Sequence, residues 1–565
     1  MTKYIKLFDL HDEYVDYIED NDKILPNVSF CEDSEDVHYN PMPSVVKLTF
    51  TLNQTGRERI SLAGSGLDVF GILENSAYTD GLSNVKSIKI DGVEIDMEND
   101  ITKEEILSWP DEFLIEGYFY DFTTTGEHTI EYTLKTPNTG SLMCALFGDI
   151  QIDSQHFYSG ITDASVEFDN VYICADSSFA YSSAITSVNG SVRKIGKKAF
   201  YGDANLESVD IDDNLIRIYD SAFMGCDSLS QVSLPETLLE IEDDAFKGCT
   251  SLPVEGNIRY ADFCAVEAVN KTLTSYVIKE DTKFIHSEAF KDCENATTIN
   301  MPEEVIGIGY MAFAECRNLT GHLMLPSTLK YIGAYAFHNC ENLTGSIVIP
   351  NTMNIINNGV FSGCSSFTNL VIPNTIVSIG NDTFNYCQGL TGTLEIPNSV
   401  ETIGDAAFRD CIGFTGVPSI SQNIESIGDN AFNGCRGFTG TLSLPNKIQE
   451  MGITVFANCS GLTSVNIPES LHEIKESTFI NCTSLASVTL PNTLISIENS
   501  AFENCSALSS ITCNASVAPI IASDVFVDIG EDGTLYVPTG SAGYDVWMSV
   551  DDDYLGKYNW TKVEQ

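Results

Sequence analysis

Basic side chains are scarce. Lys and Arg together number 29 against 80 Asp and Glu, a formal net charge of -51 over 565 residues. Such a surface repels phosphate backbones and anionic lipid headgroups, so nucleic acid and membrane surfaces are poor partners. Long apolar runs are missing as well. No stretch reaches the roughly 18 apolar residues that a membrane span needs, and no membrane insertion is expected. At the start of the chain Asp9 and Asp12 interrupt any hydrophobic segment. The sequence therefore leads us to expect no secretion address. Phosphate-binding loops of the GxxxxGK[ST] type, GxSxG elbows and HExxH zinc motifs are all absent. The Gly64-Ser-Gly66 pair lacks the rest of a dinucleotide fingerprint.

What the chain has in abundance is repetition. Its length exceeds what one hydrophobic core organises, and a hydrophobic content of 43% is ample for packed structure. Segments beginning at Ile332, Ile403 and Ile427 share one frame: Ile-Gly, then Ala-Phe, Cys three later, then Leu or Phe after another three. A short alternating apolar stretch follows, usually closed by Pro. The phenylalanine is the clearest marker. It falls at Phe179, Phe200, Phe223 and Phe246, and from Phe290 to Phe526 it recurs every 23 or 24 residues, giving fifteen markers. The longer spacing goes with one extra residue, as at Gly321, Gly345, Gly392, Gly416 and Gly440, where glycine can absorb it at positive φ.

Each unit reads mechanically. Leu442-Ser443-Leu444 alternates like a short half-buried strand, and Pro445 removes a ladder donor and ends it. A second extended piece covers Ile448 to Met451, and Gly452 is read as a turn. The three-residue spacing of Ala-Phe-x-x-Cys-x-x-Leu suits a 3₁₀ edge. One unit cannot bury its own apolar face; stacked units can. The predicted fold is mainly β with short helical or 3₁₀ edges, a repeat solenoid over 167–530 closed by a C-terminal cap over 531–565. Between Phe246 and Phe290 the rhythm breaks, and a β-hairpin replacing one corner is expected there.

Of 17 cysteines, twelve lie three residues after a marker phenylalanine. Identical positions on successive coils give parallel Cβ vectors, a poor geometry for disulfides. The absence of CxxC pairs argues against metal binding. These cysteines are predicted to be free, buried and packed as small apolar groups.

From Ser44 to Val166 short β-like runs alternate with turn signals, suggesting a β-sandwich over 44–166. Asp91-Gly92 between Ile88-Lys-Ile and Val93-Glu-Ile is a hairpin signal. Lys103 to Trp109 looks helical and interrupts the pattern. Residues 1–43 are too few and too polar to fold alone and read as an anchoring arm.

Candidate chemistry is thin. His338, two residues before Cys340, raises a Cys–His nucleophile, but equivalent positions on other coils hold other residues, which favours an ordinary edge side chain. Asp551–Asp553 and the Asp210–Asp213 segment could hold Ca²⁺, yet neither has the spacing of a calcium loop. No catalytic, cofactor-binding or metal residues are assigned, and no cofactor is expected. The ligand-binding residues stay unassigned.

The frame Ala-Phe-x-x-Cys-x-x-Leu, followed by Ile-Pro and Ile-Gly, resembles the BspA-like leucine-rich-repeat family. The tail from Leu535, with Tyr536-Val-Pro before a Trp-containing stretch expected to be a short helix, resembles that family's closing module. The resemblance implies a non-enzymatic surface adhesin that binds host or matrix macromolecules. The region 44–166 resembles the Ig-like modules that precede such repeats. Tyr4-Ile-Lys-Leu-Phe, Leu25-Pro-Asn-Val-Ser-Phe-Cys and Val37-His-Tyr-Asn-Pro resemble the leader of structural proteins of Bacteroides-type phages. Together these lead to the expectation of a virion appendage. Its arm would bind virion proteins, and its solenoid would contact a host surface glycan or protein. A bacterial cell-surface or secreted adhesin is the alternative, and a homo-oligomer stays open in either case.

Overall fold

A computed structural model describes residues 184–550 and 553–565 continuously, with strands and turns only before residue 184. The chain divides into two compact units. One comprises residues 1–32, 270–280 and 290–565, and the other 33–269 and 281–289.

In the second of these, Val45–Leu52 lies between Gly126–Leu134 and Ile161–Cys174, antiparallel to both. Val85–Ile90 extends the sheet beyond Gly126–Leu134 and turns at Asp91-Gly92 into Val93–Glu94. Asp91 at φ 50° and Gly92 at φ 77° are both left-handed, the requirement of a type I′ hairpin. A separate three-stranded sheet joins Gly56–Arg59, Phe113–Phe122 and Thr102–Ser108. The segment expected to be helical is thus a strand, because seven ladder positions with Phe113–Phe122 outweigh its local preference. The packing expected of a β-sandwich rests on side chains outside the described residues. The arm also lies outside them, apart from a two-residue ladder between Lys6–Leu7 and Val28–Ser29.

Ile161–Cys174 changes the architecture. Its other edge pairs parallel with Ile185–Ile195, which pairs parallel with Ser208–Ile211 and that with Gln231–Ser233. This strand runs across the boundary expected at 166/167. Coils of the predicted kind follow. Phe179, Phe200, Phe223 and Phe246 stack face to face with ring centroids 5.1 to 5.3 Å apart. The hairpin expected after Phe246 is present as Ile258–Ala261 paired antiparallel with Cys264–Ala268.

The larger unit repeats one coil. Parallel two-residue strands run from Ile355–Ile356 through Ser378–Ile379, Thr402–Ile403 and Ser426–Ile427 to Glu450–Met451. Longer parallel strands run on another face, from Gly440–Ser443 through Leu462–Asn466 and Ser487–Leu490 to Ser510–Cys513. Phe290 to Phe526 form an unbroken stack at 5.1 to 6.2 Å. Each stacked pair is worth about 0.5–1.5 kcal/mol beyond the area it buries. All five corner glycines, Gly321, Gly345, Gly392, Gly416 and Gly440, have positive φ, as the extra residue requires.

Gly452 plays a different part from the expected turn. Its φ is ordinary, but an added Cβ would come within 2.5 Å of Asp429 N and 2.7 Å of Gly428 C. At this position of the coil Gly333, Gly380, Gly404, Gly428 and Gly452 are there for close approach of two coils. The C-terminus closes as expected in part. Thr534–Val537 and Thr561–Glu564 add two strands, and Trp547 packs on Phe526 at 5.7 Å while donating to Pro519 O. Trp547 sits in a single turn and not in a helix; the short 3₁₀ helix is Leu555–Tyr558.

Candidate functional site

The Ala-Phe-x-x-Cys segments form the most informative edge of the coil. Within a coil, Cys226 N donates to Phe223 O and Leu229 N to Cys226 O, turns of 3₁₀ type. Between coils, alternate amides reach forward, as Phe223 N does to Ala245 O and Gly225 N to Lys247 O. The edge is therefore a hydrogen-bonded stack and not a row of helices.

The cysteine thiols lock this stack. Cys340 Sγ donates to Phe313 O at 3.2 Å, Cys364 to Phe337 O at 3.0 Å and Cys411 to Phe384 O at 3.1 Å, each onto the preceding coil. The fifteen described cysteines are all buried and free, as the spacing implied. Burial pushes the Cys340 thiol well above its ordinary value. With its hydrogen committed to Phe313 O it is not poised as a nucleophile, so His338 and Cys340 are not brought together as a catalytic pair.

To alternate its amides this way, each coil from Phe200 to Phe502 places two residues in the left-handed region, one two before and one two after the marker phenylalanine. From Gly202 to Asp528 the second position is Gly, Asn or Asp, the residues that tolerate that conformation. Two coils depart: Glu315 at φ 64° and Tyr386 at φ 58°. Both sit near a cavity of about 440 Å³, lined by nine residues from three successive coils. His338 and Asn339 come from one coil, Ser362 and Gly363 from the next, and Asn385, Tyr386 and Gln388 from the third. Gly363 has no Cβ, and the Asn339 amide of the preceding coil occupies the space where one would stand.

Its walls are held firmly. Glu315 accepts from Asn339 Nδ2 at 2.7 Å and from Arg317 at 2.7 Å. Burial acts to raise the Glu315 carboxyl, but these hydrogen bonds hold it below the usual carboxylate range. The His338 ring meets Tyr335 edge-on at 5.6 Å, and burial lowers its pKa. Asn385 Nδ2 donates to Asp382 at 2.8 Å, while its Oδ1 has no partner. Arg409, from the following coil, lies over the Tyr386 ring at 5.9 Å, and Tyr386 is 44% exposed.

Two carboxylates of the acidic loops are engaged within the chain. Asp212 Oδ1 accepts from Asn214 N at 3.1 Å, and Asp553 is engaged by Lys557 and Tyr558. Asp551 and Asp552 lie outside the described residues. Among the described residues no group of three His, Cys, Asp or Glu could hold a metal ion, and no helix is long and apolar enough to cross a membrane. A second depression of about 310 Å³ runs along the Ile-Gly strands between Asn381 and Lys475.

The repeat of phenylalanine stack, thiol bond and Ile-Gly contact meets a known pattern. The description "BspA type Leucine rich repeat region" matches six copies over residues 150–258, 269–391 and 417–529. The chain belongs to this family. The BspA-type match begins at residue 150, so the leader lies outside it. No curated protein matches the chain. Solved structures do. A leucine-rich-repeat protein from Bacteroides ovatus is 22% identical over 71% of this chain and 96% of its own, with a TM-score of 0.40. A leucine-rich cell surface protein from Faecalibacterium prausnitzii is 21% identical over 62% and 95%, at 0.26. The pneumococcal vaccine antigen PcpA is 17% identical over 67% and 80%, at 0.33.

A recess built from three coils leaves no contiguous motif in the BspA-type frame. His338, a candidate partner of a nucleophile by its spacing, has its place in the wall of a polar recess. Tyr386 belongs to no motif of the sequence. The signal that could have found it is an aromatic residue at a corner where the other coils keep Gly, Asn, Asp or Glu.

Proposed function

We propose that this BspA-type protein is a non-enzymatic adhesin of the bacterial cell surface, binding host or matrix macromolecules through side chains on the outside of its coils. The observation that carries this reading is the match of the BspA-type repeat over three stretches of the chain. The repeat commits its Phe, Cys and Ile-Gly positions to coil stacking and leaves the outward positions free to vary. Residues 167–530 supply the contact surface and 531–565 its cap. Residues 44–166 act as a β-sandwich spacer, and 1–43 as the arm that attaches it. The partner is a surface glycan or protein, with no nucleic acid, since a net charge of -51 repels it. Family membership supports the surface adhesin over the virion appendage expected from the leader.

Immunogold labelling of intact source cells tests this directly. Label on the outer surface, with binding of the purified chain to matrix-coated wells, is the expected result. Label confined to released phage particles would overturn it in favour of the appendage.

A further inference from the structure

Resting on the adhesin reading, we propose that the cavity at Gly363 is a subsite for a neutral pyranose of a surface glycan, with the Tyr386 ring as its stacking platform.

The first argument is strain. Tyr386 occupies a left-handed backbone position, φ 58°, that a bulky aromatic residue adopts at a cost. Equivalent corners other than Glu315 avoid the cost with Gly, Asn or Asp. Its ring stands outside the phenylalanine stack, with Arg409 of the following coil as its partner. The ring is also placed for use. It is 44% exposed, Arg409 on the following coil lies over it, and the cavity lies toward the preceding coil.

The second argument is the chemistry of the walls. Asn339, Glu341, Asn385 and Gln388 present amide and carboxylate groups around the recess, and Asn385 Oδ1 has no protein partner. Amides and a carboxylate offer donors and acceptors in close pairs, which matches adjacent hydroxyls on a sugar ring. An aromatic face beside them covers the apolar C–H face of the same ring. A volume of about 440 Å³ lies within the range of small-ligand sites.

The third argument excludes other occupants. No Lys or Arg lines the cavity, and Glu341 is paired with Arg317, so an anionic sugar, a phosphate or an acidic peptide finds no cation in the lining to bind it. An extended peptide would need free backbone amides. Those of this edge are spent: Asn339 N on Ser362 O, Gly363 N on Asn385 O and Tyr386 N on Arg409 O. Leu, Ile, Val, Met and Phe are also missing from the lining, so a side-chain anchor has no apolar pocket to enter.

The test uses the full chain in calorimetric titrations against lactose, chitotriose, cellotriose and mannotriose, with sialyllactose and gelatin as contrasts. At least one neutral oligosaccharide should bind. Tyr386→Asn puts at its corner the residue already used at Asn339 and Asn458 and should keep the wild-type melting temperature, whereas Gly363→Asn must displace the Asn339 amide and is read beside its own melting temperature. Each should weaken the neutral sugar by about tenfold or more, and Tyr386→Phe should retain it, because the ring and not the hydroxyl is needed. Absence of binding to every neutral sugar overturns the proposal, as does equal affinity in both Asn variants. Loss of gelatin binding alone in Tyr386→Asn would overturn it in favour of a protein ligand. If the variants bind sugars as the wild type does and still adhere to matrix-coated wells, the subsite fails while the adhesin reading stands.

Discussion

His286 Nε2 stands 3.2 Å from the amide nitrogen of Phe246 and accepts its hydrogen, doing for this coil what a backbone carbonyl does for its neighbours. Phe200 N donates to Ala222 O and Phe223 N to Ala245 O, both at 2.8 Å. At Phe246 the inserted hairpin breaks the succession of coils, and a side chain takes over as acceptor. The ring's Nδ1 faces Ser287 O at 3.1 Å. The imidazole must therefore be neutral, with its proton on Nδ1.

Burial depresses the His286 pKa to about 4, with Asp244 and Glu267 opposing and Lys247 assisting. The unfolded chain takes up this proton near pH 6.5, so between pH 6.5 and about 4 the unfolded state binds more protons than the folded one. The contribution is fully present above pH 6.5 and is lost as pH falls through that window, by up to about 3 kcal/mol. His286→Gln keeps an acceptor and removes the titration. Urea unfolding at pH 4.5 and pH 7 should show a smaller loss for the variant than for the wild type. Equal losses would sink this role for His286.

The thiol ladder predicts a chemical silence. The fifteen described cysteines are buried, and burial raises thiols such as Cys364 and Cys411 well above their ordinary value. A thiol-labelling reagent read by peptide mass spectrometry should leave the thiols raised by burial, Cys364 and Cys411 among them, unmodified in native protein and modify them in guanidinium. Cys411→Ala should cost about 1–3 kcal/mol, from a lost bond to Phe384 O and a small cavity in a packed interior. Rapid native labelling of Cys411 would contradict the buried ladder.

Much of this fold is legible in the sequence because the repeat constrains itself. A marker phenylalanine every 23 or 24 residues fixes the coil, a cysteine three residues on reads as buried, and corner glycines mark the one adjustable turn. Asp91-Gly92 identifies its own hairpin. Long-range pairing is less legible. Thr102–Ser108 has helix-favouring side chains, and only its ladder with Phe113–Phe122 makes it a strand. Gly452 reads as a turn because sequence does not show that Gly428 and Asp429 of the preceding coil press against it. Tyr386 carries a signal, but only for a reader who knows that its corner is left-handed.

Gly452 and Gly392 separate two uses of glycine. At Gly392, φ 80°, an added Cβ meets nothing within 4 Å, so Gly392→Ala should cost about 1 kcal/mol from the backbone alone. At Gly452 the backbone conformation is ordinary, but the Cβ would strike the atoms of Asp429 and Gly428. Gly452→Ala must push two coils apart and should cost about 2–3 kcal/mol, as overpacking does. Melting temperatures of the two variants check the order. A milder effect at Gly452 would mean the coils can part there.

Arg217 supplies the sharpest test of charge in the interior. It is nearly buried and donates to Glu240 at 3.0 Å and to Glu242 at 2.5 Å, with its guanidinium 4.7 Å from the Tyr219 ring centroid. Glu242 is itself 12% exposed. Replacing the cation by Met preserves much of the side-chain volume but strands a buried carboxylate, and that asymmetry dominates the energetics. Arg217→Met should cost about 3–5 kcal/mol. Arg217→Met combined with Glu242→Leu removes the orphaned charge and should recover most of the loss. Denaturant unfolding of the two single variants and the double gives the coupling. Additive losses would show that the pair does not act as a unit, and that packing of the arginine stem on Tyr219, and not charge, holds this coil.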